Sequence, residues 1–516
     1  MANKSLFASM AAKLLPSADA KNCEAAPAYA YGPEHRLVQL AATGTLNDSF
    51  YEGAEAQLAQ VLATAKEVEP LFVAKVAVYA RTKGVMKDMP ALLTALLTVT
   101  APDLAPLVFW RVIDNGRMLR TFVQIMRSGA VGRTSLGSRP KTLVKRWLER
   151  ATMADLMRTA TGNDPSLADI VKMVHPKPAD PERQAFYGWL IGRPYDLAAL
   201  PTEIAAFEAW KRDRTQALPP VPFEWLTSEP LTTDQWVELS DRMGWQALRM
   251  NLNTLARHGA FLVAGVAERV ASRLSDGQAL AKARVLPYQL MAAAWNVGDG
   301  VPMAVQAALE SAMEASLAKL PELPGRVVVC PDVSGSMKSS VTGTRKGATS
   351  KVRCIDVAAL VTAAIQRKNR SARVLPFEIG VVSLSLDPFA RIAANAAKLA
   401  AVGGGGTNVS APLARLNFER AKADLVVIVS DNQSWVDANR SGATETLKEW
   451  SRLKERCPRA KLVCIDLQPY GTTQAKSRDD ILNVGGFSDA VFETIAGFAT
   501  GNGQQNWIAE VMATEV

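Results

Sequence analysis

The stretch RVVVCPDVSGS (residues 326–336) indicates the fold of the C-terminal third of this chain. Its first half is a continuous apolar, β-branched run, which is typical of a strand that is buried on both faces of a parallel sheet. Its second half places Asp332, Ser334 and Ser336 at alternate positions on the loop that leaves this strand. A carboxylate and two hydroxyls at this spacing direct their oxygens toward one point, and oxygen ligands suit a hard cation. The stretch therefore predicts a sheet edge that carries a metal site.

The residues that follow alternate between apolar strands and amphipathic helices. Buried strands are predicted at 424–430 (DLVVIVS) and 461–467 (KLVCIDL), and a further strand is predicted at 374–382. Helical periodicity marks the segments between these strands. The alternation predicts a Rossmann-like α/β domain with a parallel sheet, whose ligands bind at the carboxyl ends of the strands.

Two later loops supply the remaining oxygen ligands. Thr407 follows the glycine run 403–406, and Asp431 comes directly after the predicted strand 424–430. Both positions fall at the carboxyl edge of the predicted sheet. With Mg²⁺ as the expected ion, the predicted ligands are Asp332, Ser334, Ser336, Thr407 and Asp431.

The chain before this domain has a different pattern. Between residues 34 and 320 apolar residues recur at helical spacing, and short Pro- or Gly-marked breaks separate the helices. The pattern predicts an all-α domain of stacked helix pairs, as in an α-solenoid. We therefore divide the chain into an N-terminal segment 1–33, a helical domain 34–320, a linker 321–325 (PELPG), an α/β domain 326–500 and a tail 501–516.

The net charge of +9 is concentrated in the helical region. Residues 81–150 contain thirteen Lys and Arg against four Asp and Glu, so this stretch alone carries +9 and the rest of the chain sums to zero. A basic region of this kind attracts polyanions through phosphate contacts and counterion release. The alternative is a solvated helical face that only keeps the protein soluble.

Composition and motifs indicate a cytoplasmic binding protein. The five cysteines form no regular framework, which favours a reducing compartment, and no apolar stretch is a persuasive membrane span. With only three histidines, a zinc cluster or a His-based triad has few parts available, and Walker A and GxGxxG patterns are absent. We therefore expect that the protein is not an enzyme and that it does not bind a membrane.

Specific segments connect both regions to known families. The helical region contains GSRPKTLVKRWL (137–148) and SLADIVKMVHPKP (166–178), and SDN (430–432) ends the strongest buried strand. These segments resemble the TROVE family, and the chain is identified as a bacterial Ro-like member of it. The DxSxS motif, the threonine and the later aspartate resemble the metal-ion-dependent adhesion site (MIDAS) of von Willebrand A domains.

The resemblance implies a fold and a function. The helical region would form a ring of HEAT-like repeats that the von Willebrand A domain closes. The ring would bind small structured Y-like RNAs on its basic outer surface and single-stranded 3′ ends of misfolded or structured RNAs in its central hole. It would act as a scaffold in noncoding-RNA quality control, maturation or decay, with polynucleotide phosphorylase or another exoribonuclease as a partner. The metal site would take an acidic ligand of unknown identity.

The resemblance also implies which residues contact RNA. The basic positions of the family fall on Arg158 and His175, whereas a third basic position of the family is Gly162 in this chain. Neighbouring cations could substitute for it, and Lys141 and Lys145 share one helical face. The predicted RNA-binding residues are Arg133, Arg139, Lys141, Lys145, Arg146, Arg158, Lys172, His175 and Lys177.

Two other functions are also compatible with the sequence. In the first, the helices only present the von Willebrand A domain, which binds a protein partner through its metal site. In the second, the chain is a chelatase-like subunit that serves an ATPase. Subunits of the second kind usually carry acidic linkers, whereas the linker PELPG has little charge.

Overall fold

The computed structural model of the protein describes residues 15–283, 285, 287–317, 320–344, 351–436, 442–486, 488–501 and 507–516. The chain divides into two compact units. The first unit contains the residues up to Met89 together with Leu286–Ala292 and Glu310–Glu515, and the second contains Pro90–Val285 and Ala293–Leu309. Within the described ranges, no helix combines the length and the apolar character that a membrane crossing requires.

Most of the described chain is helical, in agreement with the predicted helical region. The helices that precede the parallel sheet are α1 Pro33–Thr43, α2 Ala54–Glu67, α3 Pro70–Thr82, α4 Asp88–Thr100, α5 Ala105–Val112, α6 Gly116–Ser128, α7 Ser138–Arg150, α8 Met153–Thr159, α9 Leu167–Val174, α10 Pro181–Ile191, α11 Thr202–Arg212, α12 Phe223–Leu226, α13 Thr233–Arg242, α14 Trp245–Met250, α15 Leu252–Arg257, α16 Val266–Ser275, α17 Gly277–Ala283, α18 Pro287–Trp295 and α19 Met303–Leu317. Those that alternate with the sheet strands or follow them are α20 Cys354–Lys368, α21 Ile392–Ala400, α22 Ala411–Phe418, α23 Glu445–Arg456, α24 Asp489–Thr500 and α25 Trp507–Met512.

Within the part of the chain that the structure describes, the strands form two sheets, both in the first unit. Their bounds are β1 Ala20–Lys21, β2 Pro27–Ala30, β3 Val327–Pro331, β4 Arg373–Val374, β5 Leu425–Ser430, β6 Lys461–Asp466, β7 Thr472–Thr473 and β8 Ile481–Gly485. The larger sheet has the order β4-β3-β5-β6-β8, and every neighbouring pair in it is parallel. The predicted α/β domain with a parallel sheet is therefore confirmed.

Helices cover this sheet on both faces. On one face, α22 and α23 pack against alternate strand residues, and Trp450 of α23 is fully buried there. Helix α20 packs against β3, and α24 packs against β8. Because both faces are covered, the central strand β5 is buried at every position, which explains why its sequence is apolar without alternation.

Two strands differ from the prediction. The strand predicted at 374–382 is shorter, because Pro376 has no N–H for a sheet ladder and the chain turns back after Phe377. Phe377 still donates its N–H to the carbonyl oxygen of Pro331 at 3.0 Å. The edge strand β8 was not predicted, although all five of its residues are buried.

The compact units do not follow the predicted boundaries at residues 33 and 320. Helices α1 and α25 both pack against β8, and α25 also packs against α3. Trp507 of α25 is buried and donates its indole N–H to the hydroxyl of Tyr79 in α3 at 3.0 Å. Chain segments from both ends thus share the core of the parallel-sheet unit, because compact units follow packing in space and not order in sequence.

The second unit consists of helices that pack against near neighbours in the sequence. Helix α6 contacts α8 and α9, and α9 contacts α7 and α10. Arginine side chains cap several helix ends in this unit. The guanidinium of Arg183 donates to the carbonyl oxygens of Leu148 at 2.8 Å and Ala151 at 2.9 Å, at the C-terminal end of α7. Part of the positive charge of the unit therefore has a structural role.

Candidate metal site and basic helical surface

The loop after β3 gathers three of the predicted metal ligands. Asp332 is fully buried, and its Oδ1 accepts the backbone N–H of Ser334 at 2.8 Å. Its Oδ2 accepts the hydroxyl of Ser430, the last residue of β5, at 2.6 Å. The hydroxyl oxygens of Ser334 and Ser336 lie 3.4 Å apart. Hydrogen bonds to both carboxylate oxygens therefore hold Asp332 beside the two serine hydroxyls.

The glycine run brings Thr407 to the same place. Gly335 donates its N–H to the carbonyl oxygen of Gly405 at 2.8 Å, so the two loops pair directly. A Cβ atom at Gly403 would lie 2.3 Å from the carbonyl oxygen of Val333, and Gly403 also has a φ of 79°. Only glycine fits this position without strain. Thr407 is buried, and its carbonyl oxygen accepts the backbone N–H of Trp435, four residues after Asp431, at 3.2 Å.

Asp431 adds a second buried carboxylate to the cluster. Without a cation, the negative charges of Asp332 and Asp431 repel each other. Asp431 is buried, and its Oδ1 accepts the backbone N–H of Gln433 at 3.2 Å. Burial, followed by the charge of Asp431, raises the pKa of Asp332 to about 7. Burial also raises the pKa of Asp431, although a hydrogen bond with the Ser336 hydroxyl opposes this shift. Two buried carboxylates with raised pKa values are the arrangement that a bound cation would stabilise.

The donor set fits a hard divalent ion. Among the described residues, no three His, Cys, Asp or Glu side chains lie together as a metal cluster, so an ion here would need hydroxyl oxygens besides the two carboxylates. All five predicted ligands are buried at the carboxyl ends of β3 and β5 and on the adjoining glycine-rich loop. Mg²⁺ accepts such oxygen-only shells, with waters at the remaining positions. Asp332, Ser334, Ser336, Thr407 and Asp431 could hold Mg²⁺.

A pH dependence follows from the buried carboxylate Asp332. Between its ordinary pKa of 3.8 and its folded pKa of about 7, the folded protein binds more protons than the unfolded chain. Without divalent ions, the free energy of unfolding should therefore fall as the pH rises through this range, by up to about 1.4 kcal/mol per pH unit for one proton. Thermal melts in a chelator should show a smaller decline for Asp332→Asn. Equal slopes for the two proteins would contradict this prediction.

A buried network that was not predicted from the sequence supports the metal loop. Asp466 at the end of β6 accepts hydrogen bonds from the Tyr31 hydroxyl at 2.7 Å and from Gln39 Nε2 at 3.1 Å. The side-chain amide of Asn432 also donates to Asp466. Asn432 follows Asp431 directly and has a left-handed φ of 61°. An aspartate at the carboxyl end of the apolar run 461–467 was a signal that could have identified part of this network.

The predicted RNA-binding residues lie in the second unit, on α7, α8 and α9 and the loops beside them. Arg139, Lys141, Lys145 and Arg146 are on α7, and Arg158 is on α8. The exposed members of the predicted set are Arg139, Arg146, Arg158, Lys172, His175 and Lys177, and the half-buried members are Arg133, Lys141 and Lys145. Because α9 packs against α7, and α6 packs against both α8 and α9, these cations belong to one continuous group of helices.

Local contacts orient several of these side chains. Arg158 forms an ion pair of 2.6 Å with Asp155, one turn earlier on α8, and both side chains are largely exposed to solvent. Arg139 pairs with Asp103 at 3.3 Å, also at an exposed position. Exposed pairs of this kind contribute little to stability, so these arginines remain able to exchange partners. His175 ends α9 with a left-handed φ of 51° and an exposed imidazole.

The structure explains why position 162 of this chain is a glycine. A Cβ atom at position 162 would lie 1.2 Å from Nη1 of Arg120, so the guanidinium of Arg120 fills the space that a side chain would occupy. Arg120 Nη1 also donates to the carbonyl oxygen of Asn163 at 3.5 Å. A cation therefore does lie at this place, although it comes from α6 and not from position 162.

Helix α6 carries further arginines that were not among the predicted RNA-binding residues. A helical wheel places these cations within about 80° of one another: Arg117, Arg120 and Arg127. This spacing could have indicated that they share one face of the helix. Burial and the charge of Arg117 lower the pKa of Arg120. Hydrogen bonds from Ser166 lower the pKa of Asp169 on α9, and the charge of Arg127 lowers it further. The cations of α6 therefore lie beside α8 and α9 and extend the basic surface.

Three comparisons with known proteins agree with this architecture. The family described as the Ro60 vWA domain matches residues 326–499. A protein of Deinococcus radiodurans named RNA-binding protein RO60 is 24% identical over 509 residues, which cover 92% of this chain and 94% of that protein. The crystal structure of the D. radiodurans Ro (Rsr) protein matches with a TM-score of 0.60 at 22% identity, over 92% of this chain and 100% of that chain.

These matches concern different parts of the chain. The family match has nearly the same bounds as the α/β domain predicted at 326–500. The structural match at 22% identity shows that the fold is shared over most of the chain. The resemblance predicted from the sequence is thus confirmed: residues 326–499 match the family described as the Ro60 vWA domain, and the chain has the fold of the D. radiodurans Ro protein.

Proposed function

We propose that this protein is an RNA-binding scaffold whose basic helices α6 to α9 bind a small structured RNA. The observation that carries the proposal is the contrast between two kinds of arginine in the second unit. Arg183 and Arg273 donate to backbone carbonyl oxygens at helix ends, whereas Arg146 and Arg158 are exposed on α7 and α8. Exposed cations on adjoining helices suit contact with the phosphates of an RNA duplex.

The comparisons support the same proposal. The D. radiodurans relative is named an RNA-binding protein, and the alignment covers nearly the full length of both chains. The proposed ligands are a Y-like RNA on the basic helices and single-stranded 3′ ends of misfolded or structured RNAs. In this proposal the protein serves noncoding-RNA quality control, maturation or decay in the cytoplasm. It acts as a scaffold rather than an enzyme, with polynucleotide phosphorylase or another exoribonuclease as a partner.

We further propose that Asp332, Ser334, Ser336, Thr407 and Asp431 hold Mg²⁺, which would supply an open coordination position for an acidic group of a partner. The buried pair of carboxylates favours this second, metal-dependent binding function, because a cation would offset the burial and the repulsion from Asp431 that together raise the pKa of Asp332. The metal site would add a protein docking point to an RNA scaffold. In the alternative function, the protein binds a partner only through this site, as a metal-dependent adhesion module, and binds no RNA.

The test of the proposed function is the RNA content of the purified protein. Full-length protein isolated at low salt should have a ratio of absorbance at 260 to 280 nm well above that of pure protein, and sequencing of the bound RNA should recover small structured species. Washing at high salt should remove this RNA, because each phosphate contact makes binding salt-dependent. Protein that is free of RNA at low salt and does not bind a structured hairpin would refute the proposal.

A further inference from the structure

The glycine-rich loop before Thr407 is where side chains from two other loops reach the metal site. A Cβ atom at Gly404 would lie 2.5 Å from Nζ of Lys338, and a Cβ atom at Gly406 would overlap the indole nitrogen of Trp435. Because glycine has no Cβ, the ammonium group and the indole ring occupy the space that side chains at these positions would fill. Lys338 and Trp435 therefore lie directly against the loop that carries a predicted metal ligand.

Two exposed apolar residues are held beside this loop by hydrogen bonds. Trp435 donates its N–H to the carbonyl oxygen of Thr407 at 3.2 Å, and the side-chain amide of Asn408 donates to the carbonyl oxygen of Ile379 at 3.1 Å. Trp435 is 41% exposed and Ile379 is 55% exposed, whereas Thr407 is buried. Consecutive residues of the loop, a predicted metal ligand and its neighbour, thus each position an exposed apolar residue.

The charged groups beside the loop favour a particular kind of ligand. Lys338 comes two residues after the predicted ligand Ser336 and is exposed. The Glu378 carboxylate is half-buried and accepts the N–H of Gly405 at 2.8 Å. Lys338 would attract a single carboxylate that approaches the site. Glu378 would repel a chain of phosphates, because such a chain brings several negative charges to the same place. The charges therefore favour a protein ligand over a nucleic acid.

Burial of the metal ligands determines what a partner must present. Asp332 and Asp431 are buried, so a residue that brings a carboxylate to the ion also brings its neighbours against the exposed side chains of the adjoining loops. We call Lys338, Ile379 and Trp435 the metal-site rim. Single exposed apolar residues are ordinary on a protein surface. Here two of them adjoin one metal-ligand loop, and tryptophan is among the residues that contribute most binding energy at interfaces.

We propose that the metal-site rim selects a protein partner that presents an aspartate or glutamate beside an apolar side chain. The carboxylate would bind the ion and be attracted by Lys338, and the apolar side chain would pack against Trp435 and Ile379. The inference rests on the proposed Mg²⁺ site and adds to it the chemistry of the partner. A ligand with a carboxylate alone, such as acetate, would use only part of this surface and would bind more weakly.

Selection of random seven-residue peptides displayed on phage tests the proposal with the full-length protein. Phage are bound in the presence of Mg²⁺, released with a chelator and sequenced. The released peptides should be enriched in aspartate or glutamate directly beside a large apolar residue. The most enriched peptide, synthesised with a fluorescent label, should bind in Mg²⁺ and lose its binding in a chelator, as measured by anisotropy. Replacing its apolar residue with serine should weaken binding by about tenfold.

Trp435→Ala removes the largest side chain of the rim. It should weaken binding of the labelled peptide by about tenfold and abolish the difference between this peptide and its serine form, while keeping the stabilisation by Mg²⁺. Ile379→Ser, at a more exposed position, should have the same effects to a smaller extent. If Trp435→Ala loses its response to Mg²⁺, Ile379→Ser decides the question.

Phe418→Ala is the matched control, because Phe418 is exposed in the same domain but ends α22, which leads from the Thr407 loop toward the amino end of β5. It should bind both peptides like the wild type. An equal loss of binding in Phe418→Ala and Trp435→Ala would overturn the inference. Enrichment of acidic residues without an apolar neighbour would also overturn it and leave the metal site standing as a docking point.

Two further outcomes separate this inference from the proposed functions. If a chelator releases no acidic peptides from a wild type that Mg²⁺ stabilises, both the inference and the docking role of the metal site are wrong, while the proposal of RNA binding is unaffected. Weaker binding of an RNA hairpin by Trp435→Ala, in a protein that binds no peptide, would show that the rim contacts nucleic acid and would overturn the inference.

Discussion

Reversing the charges of Lys145, Arg146 and Arg158 together is expected to weaken the binding of a structured RNA hairpin by on the order of 100-fold near physiological salt. These side chains come from α7 and α8, and none of them is buried. Each reversal removes an attraction to phosphate and adds a repulsion. Titration of the full-length protein with a labelled hairpin that has a single-stranded 3′ end, followed by fluorescence anisotropy, measures the change.

The salt dependence gives this experiment a second readout. If the three side chains each contact one phosphate, the slope of log affinity against log salt should become less steep by about three. The matched control reverses three exposed cations of the von Willebrand A domain: Lys398, Lys422 and Arg459. It makes the same change in net charge and should have a much smaller effect. If both triple variants bind equally well, the basic surface of α7 and α8 has been assigned wrongly.

Replacing Asp332 with alanine is expected to abolish the stabilisation of the protein by Mg²⁺. For the wild type, Mg²⁺ at about 100 times its dissociation constant should raise the free energy of unfolding by about 2.7 kcal/mol. The effect should be larger at pH 8 than at pH 6, because Asp332, with a pKa of about 7, must lose its proton to bind the ion. Thermal melts with and without Mg²⁺ at the two pH values measure both effects.

Asp479→Ala is a suitable control for this variant, since Asp479 is an exposed aspartate of the same domain. It should keep the full response to Mg²⁺. Asp332→Ala should also bind the RNA hairpin like the wild type, while the triple variant of α7 and α8 should keep its response to Mg²⁺. A loss of RNA binding in Asp332→Ala would show that the two proposed functions depend on each other.

The parallel sheet and the metal ligands could be predicted because both depend on local patterns. An apolar run without alternation indicates a strand that is covered on both faces, and three such runs became β3, β5 and β6. Parallel strands end at the same edge of a sheet, so polar residues that follow these runs must lie near one another. This geometry connects Asp332 to Asp431, which is ninety-nine residues later in the sequence.

Strand β8 shows where local sequence patterns do not predict a strand. The run ILNVG in β8 is short and contains a polar residue, yet Asn483 is buried because its side chain finds partners in Thr473 and Ala475. A strand at the edge of a sheet gains its burial from the elements that cover it. In β8 these include α1 and α25, which come from opposite ends of the chain.

Three features could be predicted from local sequence patterns alone: the α/β domain, the ligands proposed for its metal site, and the helical, basic character of the region before it. Which distant segments complete these features became visible only in the folded chain: Asn22 and Cys23 on the loop after Asp431, Tyr31 and Gln39 on Asp466, and Arg120 against Gly162. The spacing of apolar residues within a segment indicates which of its faces is buried. This spacing does not indicate which remote side chain contacts that segment, because such contacts depend on how the whole chain packs.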